Sequence, residues 1–141
     1  DVNILVLAGM GGLNIIDILS KNLNALNHID EIILDAHNSR MEVRKYLIDL
    51  GYKIETQLIL FEKNIYYQID KFIKAKTKEN IDEIELNLGH LLLKNKNETY
   101  INYLKYLSNN LEFKISHNKN DEELNLAKKT LERINKYLYE H

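Results

Sequence analysis

Three glycines stand between an aliphatic run and an amphipathic stretch. Ile4-Leu5-Val6-Leu7 leads into Ala8-Gly9-Met10-Gly11-Gly12, and Leu13, Ile16 and Leu19, with Ile15 and Ile18 beside them, recur at helical spacing. Glycine lets backbone approach a flat ligand or a phosphate closely, and the free N–H groups of a helix start favour anions. The string is neither G-x-G-x-x-G nor a phosphate loop ending in Lys-Ser or Lys-Thr. It reads as a ligand cradle or as a plain tight turn. A second group follows the next aliphatic run, Ile32-Ile33-Leu34: Asp35, His37 and Asn38 could supply a general base or a base-reading amide. Its plainer reading is a polar turn in which Asn38 or Ser39 caps a helix. His28, His90, His117 and His141 have no partner at ligand spacing, so no metal is expected. The chain has no cysteine, which excludes disulfides, zinc ribbons and thiol catalysis together.

The elements that would position these groups repeat. Strand, glycine turn and helix are followed by a second strand, a polar loop, and a helix from Met41 to Leu50 with Val43, Tyr46, Leu47 and Leu50 apolar. Gly51 is placed to close that helix in a left-handed conformation. Two such units in succession predict parallel strands joined by crossovers, with both loops at one sheet edge, where ligands bind in open α/β sheets. Beyond Gly51 the pattern alternates. Ile54, Thr56, Leu58 and Leu60 are expected on one face, then Ile65, Tyr67, Ile69 and Ile73 after a turn at Lys63-Asn64, which predicts an antiparallel hairpin completing the sheet.

The stretch from Ala75 to Glu83 is polar enough for a linker, and Leu86 to Leu93 is a short apolar patch around Gly89. Two heptad seams follow: Tyr100, Leu104, Leu107, Leu111 and Ile115, then Leu124, Ala127, Leu131, Ile134 and Leu138. They predict an antiparallel helical hairpin, with Asn120 and Glu123 forming a capping box at its second arm. Tyr66 and Tyr67 read as packing groups before stacking platforms.

A chain of 141 residues with 45% hydrophobic composition suffices for one ordinary domain with a small appendage. The absence of a long apolar run or a basic leader predicts a soluble, cytoplasmic protein without membrane attachment. Net charge is -2, so there is no broad basic surface, although a local basic stripe would suffice for nucleic acid.

Several strings occur in a particular order. The glycine loop with Ile15-Ile16-Asp17-Ile18-Leu19 is followed by Ile33-Leu34 with Asn38, Val43-Arg44-Lys45-Tyr46-Leu47, Gly51-Tyr52-Lys53-Ile54, Tyr66-Tyr67-Gln68-Ile69 and Leu88-Gly89-His90-Leu91-Leu92. The series resembles the TrmK tRNA (adenine-22-N1)-methyltransferases over nearly the whole chain. It departs from them at Leu34-Asp35-Ala36-His37-Asn38, where the family commonly has Leu-Gln-Pro-Asn, and at Leu88-Gly89-His90, where it has Phe-Gly-Pro. The resemblance implies a partial Rossmann-like class I methyltransferase sheet over residues 1–75, a linker and apolar segment over 76–97, and an antiparallel coiled-coil helical hairpin over 98–141. The family's acidic, glycine-containing cofactor motif would precede Asp1.

The same resemblance implies a monomeric enzyme that methylates N1 of adenine 22 in tRNA with S-adenosylmethionine as cofactor. The backbone of Gly9, Met10 and Gly11 would position the adenine, and Ala8 and Gly9 would meet the cofactor. Gly12, Asn38, Lys105, Lys128 and Lys129 would contact the substrate. Two other classes stay open: a non-catalytic RNA- or protein-binding module built on half a Rossmann sheet, and a nucleotide-binding enzyme of another kind.

Overall fold

A computed structural model describes residues 3–118 and 120–139. The chain divides between Leu92 and Leu93 into two compact units.

The first unit is α/β. In it β1 (Ile4–Met10), α1 (Gly12–Ser20), the short α2 (Leu23–Leu26), β2 (Glu31–Ala36) and α3 (Arg40–Asp49) precede β3 (Tyr52–Glu62), β4 (Ile65–Lys74) and α4 (Glu83–Leu88). The strands form one sheet in the order β1-β2-β4-β3. β1 and β2 run parallel, Leu5 opposite Ile32 and Leu7 opposite Leu34, whereas β4 is antiparallel to both β2 and β3. The parallel pair and the finishing hairpin are those expected from the sequence. Lys63 and Asn64 both adopt positive φ, 50° and 63°, the conformation demanded by a two-residue hairpin turn whose twist matches its strands.

Ile15, Leu19, Ile32, Leu34, Val43, Leu47, Ile54 and Phe72 belong to one buried cluster, which places α1 and α3 over the face of β2 that carries Ile32 and Leu34. Both helical stripes are rotated from the expected ones. In α1 Gly12, Ile15 and Leu19 are buried and Leu13 is exposed; in α3 Arg44 and Ile48 are buried and Leu50 is exposed. The hairpin also differs from its sequence pattern. Its register slips between Ile54 and Thr56, so Glu55 is an extra residue that turns the following side chains over. Gln57 and Ile59 therefore go inward, and Leu58 and Leu60 are exposed. On β4 the inward residues are Gln68, Asp70 and Phe72, opposite in parity to the expected Ile65, Tyr67, Ile69 and Ile73.

The division falls within α5 (His90–Lys94). The second unit contains α6 (Glu98–His117) and α7 (Asp121–Tyr139), each about 30 Å long at 1.5 Å per residue. Asn97 caps α6, its Oδ1 accepting from the N–H of Thr99 at 2.7 Å and of Tyr100 at 3.3 Å. The expected Asn120–Glu123 box is only half formed. Asn120 Oδ1 accepts from Glu122 N–H, but Glu123 takes its hydrogen bond from the Asn118 side chain. Tyr100, Leu104, Ala127 and Ile134 are buried as the seams predict; Leu131 is half-buried and Thr130 is buried in its place.

Candidate functional site

Gly9 is where the parallel ladder slips. Ala8 lies opposite Asp35 and Met10 opposite Ala36, so Gly9 is an unpaired bulge residue, with φ +72° that other residues adopt only at a cost. The bulge turns Met10 so that its carbonyl accepts from His37 N–H at 2.9 Å. Gly12 N–H then donates to the backbone oxygen of Asn38 and to its side-chain Oδ1, both at 3.1 Å. These bonds join the loops after β1 and β2 at one edge of the sheet.

The three glycines therefore have different roles. A Cβ on Gly12 would stand 2.6 Å from the carbonyl oxygens of both Asn38 and Ser39, so this glycine permits contact between the two loops. At Gly11 a Cβ would meet the Asn38 amide oxygen at 3.0 Å. At Gly9 a Cβ would meet only His37 Nε2 among the described residues, at 4.0 Å, which leaves open space above an exposed backbone. Gly9 is the most open of the three to a ligand.

Two polar atoms beside this edge lack a hydrogen-bond partner among the described residues although they are shielded from solvent: Asp35 Oδ1 and Arg40 Nε. Such atoms are uncommon in folded proteins. Asp35 is the penultimate residue of β2, directly opposite Ala8; Arg40 opens α3 behind Ser39, whose φ is +50°.

Beneath the same edge lies a charged network that sequence reasoning missed. Arg44 is fully buried and all five of its N–H groups are used: Nε and Nη2 grip the two oxygens of Asp70 at 2.8 and 3.1 Å, Nη2 also reaches Gln68 Oε1 at 2.8 Å, and Nη1 donates to the carbonyls of Leu86 and Asn87. Gln57 Nε2 completes the shell of Asp70 at 3.0 Å, while its Oε1 accepts from Leu91 N–H at 2.9 Å. Asp70 pairs with Leu34, two residues before the end of β2, so the network holds α3, β3, β4 and the carbonyl end of α4 together below the loops. The signal was present in the sequence: Arg44 lies four residues before Ile48 on the buried stripe, and Gln57, Gln68 and Asp70 stand at inward positions once the bulge is counted.

Of the residues expected at the site, Ala8, Gly9, Met10, Gly11, Gly12 and Asn38 are brought together. Lys105, Lys128 and Lys129 are exposed residues of the second unit. A 420 Å³ cavity lined by Leu23, Leu26, Tyr52 and Lys74 lies at the opposite edge of the sheet, where β2 starts, away from the glycines. There Tyr52 donates to the carbonyls of Leu26 and Ile29, and burial, aided by Asp30, pushes its phenol up. No helix of the described residues is long and apolar enough to cross a membrane, and no group of His, Asp and Glu among them could hold a metal ion.

Comparison with known proteins identifies the fold and the family. The chain superposes on a candidate tRNA (m1A22) methyltransferase of Streptococcus pneumoniae with a TM-score of 0.85 and 25% identity, over 97% of this chain and 62% of that one. A Streptococcus agalactiae protein of the NADB-Rossmann superfamily matches with a TM-score of 0.84 and 27% identity, over 96% and 60%. The fold is also that of M. capricolum TrmK in complex with the natural cofactor product S-adenosyl-homocysteine, with a TM-score of 0.78 and 24% identity over 96% and 59%. The chain thus spans about three fifths of the length of these solved chains. No curated protein sequence matches. The sequence model of one family does match, over residues 1–136, and the chain belongs to that family: TrmK, tRNA (adenine(22)-N(1))-methyltransferase.

Proposed function

We propose that this chain forms the substrate-presenting part of an enzyme that methylates N1 of adenine 22 in tRNA. The observation that carries the reading is the Gly9 bulge, an exposed, side-chain-free backbone at the sheet edge where α/β proteins bind ligands, in a chain of this family. S-adenosylmethionine, when bound, supplies the methyl group. The chain's own task is placement, because N1 of adenine carries an in-plane lone pair and needs orientation more than activation.

In this reading Ala8 and Gly9 form one wall of the cofactor crevice, and the backbone of Gly9, Met10 and Gly11 faces the adenine. Gly12 and Asn38, whose N–H and Oδ1 are engaged with each other, hold that backbone in position. The target edge of a tRNA base is not freely accessible in the folded molecule, so the base is turned out to reach the loop. Lys105, Lys128 and Lys129 on the hairpin meet tRNA phosphates, which position the substrate without reading its sequence. The same proposal places a monomeric enzyme in the cytoplasm with tRNA as its partner. Nothing in the comparisons favours the non-catalytic module.

The test is methyl transfer from labelled S-adenosylmethionine by the protein carrying these residues, using tRNA transcripts with adenine or guanine at position 22. Label should enter only the adenine transcript, as N1-methyladenosine. Gly9→Ala should lower transfer at least tenfold at unchanged circular dichroism, since its φ costs a side-chain-bearing residue about 1–2 kcal/mol and the added methyl enters the open space. Equal labelling of both transcripts would refute the site of methylation, and full activity of Gly9→Ala would reduce the loop to a turn.

A further inference from the structure

The open end of the hairpin holds a groove of about 210 Å³ lined by Lys96, Ile101, Lys105, Tyr137, Leu138 and Tyr139. Its composition separates into layers. Ile101 and Leu138 are half-buried and give it an apolar base. Tyr137 is held in place, its ring edge-on to Tyr100 at 5.9 Å and its hydroxyl donating to the Asn95 carbonyl. Tyr139 is 73% exposed, a large flat ring presented to solvent. Lys96 and Lys105 are exposed and form no ion pair among the described residues.

The groove's own charged lining is two lysines, whereas the acidic run Asp121-Glu122-Glu123 lies at the start of α7, the closed end of the hairpin. Glu98 opens α6 between Lys96 and Ile101, and Glu112 lines the adjoining hollow that shares Lys105, Leu138 and Tyr139. An apolar slot with a free aromatic face and two unpaired cations suits an unstacked nucleobase with its flanking phosphates, the combination used for single-stranded nucleic acid. A protein partner without carboxylates at this surface would leave both ammonium groups desolvated without counter-charges. We propose that this groove takes one unpaired nucleotide of the RNA substrate, its base against Tyr139 and its phosphates on Lys96 and Lys105. The inference rests on tRNA being the substrate and adds a second, sequence-tolerant contact distinct from the adenine presented at Gly9.

The experiment is fluorescence-anisotropy titration of the 141-residue chain with a tRNA transcript, a short single-stranded RNA and a blunt RNA duplex of the same length. Tyr139→Ala should weaken single-strand and tRNA binding about tenfold, Tyr139→Phe should retain it, and duplex binding should be unaffected by either. Lys96→Glu with Lys105→Glu should flatten the dependence of log Kd on log salt by about 1.4 for two lost phosphate contacts, whereas Lys114→Glu on the same hairpin should leave single-strand affinity within twofold. If tRNA binds but Tyr139→Ala and the lysine pair leave it unchanged, the groove is refuted and the methyltransferase reading stands. If the wild-type chain binds no RNA, both fall. Concentration-dependent self-association in sedimentation that Tyr139→Ala abolishes would assign the groove to contact between copies and overturn the proposal.

Discussion

The sheet unit and the hairpin unit each bury several side chains completely, and one from each is of a kind opposite to the other. In the sheet it is Arg44, a charge whose five donors are all directed at named acceptors; in the hairpin it is Ile134, which makes no directional bond. A buried ion pair fixes geometry more than it stabilises, because desolvation offsets most of the attraction. An apolar seam stabilises by area removed from water and tolerates sliding. The unit that must hold two loops in register to within a hydrogen bond adds a directional network to its apolar core. The unit that presents a long outer surface buries no charged side chain among the described residues.

The largest effect should come from breaking the ion pair on one side only. Arg44→Met leaves Asp70 buried and uncompensated and should cost about 3–5 kcal/mol in denaturant unfolding, whereas Arg44→Met with Asp70→Leu should recover most of it. A single-variant cost below about 1 kcal/mol would mean the network is dispensable and the contrast between units void. In the hairpin, Ile134→Ala should cost about 2–5 kcal/mol by leaving a cavity, and Leu131→Ala, half-buried, clearly less. Equal losses at the two positions would show that the seam is centred on the heptad leucines after all.

The smallest effect is alkaline. Tyr52 in the sheet unit and Tyr137 in the hairpin both have phenols raised by burial, reinforced by Asp30 in the first and opposed by Arg133 in the second. Lys71 is also raised, first by its hydrogen bond to Glu55 and then by the charge of Glu31. A folded pKa above the unfolded value contributes stability that is fully present below the unfolded pKa and is lost as pH rises through the folded one. Both units should therefore weaken above about pH 10. Tyr52→Phe and Tyr137→Phe should each remove a late-ionising component from the ultraviolet absorbance titration; an unchanged titration in either variant would assign the shift elsewhere.

The two strand-helix units, the finishing hairpin with its turn at Lys63-Asn64, the left-handed Gly51 and the two hairpin helices were legible in the sequence, because each of these elements is decided by residues within a few positions of one another, whereas α2, α4 and α5 were not expected. Which side chains face inward was not. Side-chain direction in a strand alternates with period two, so the single extra residue at Glu55 inverts every inward position that follows along β3, and no local preference announces it. The burial of Arg44 is not legible locally, because its partners are 24 to 43 residues away, at Gln68, Asp70, Leu86 and Asn87. The glycine loop shows the same division. Sequence marked Gly9, Gly11 and Gly12 alike as sites where backbone comes close to something. Only packing against the 37–39 loop decided that Gly12 approaches the chain itself while Gly9 is left open to a ligand.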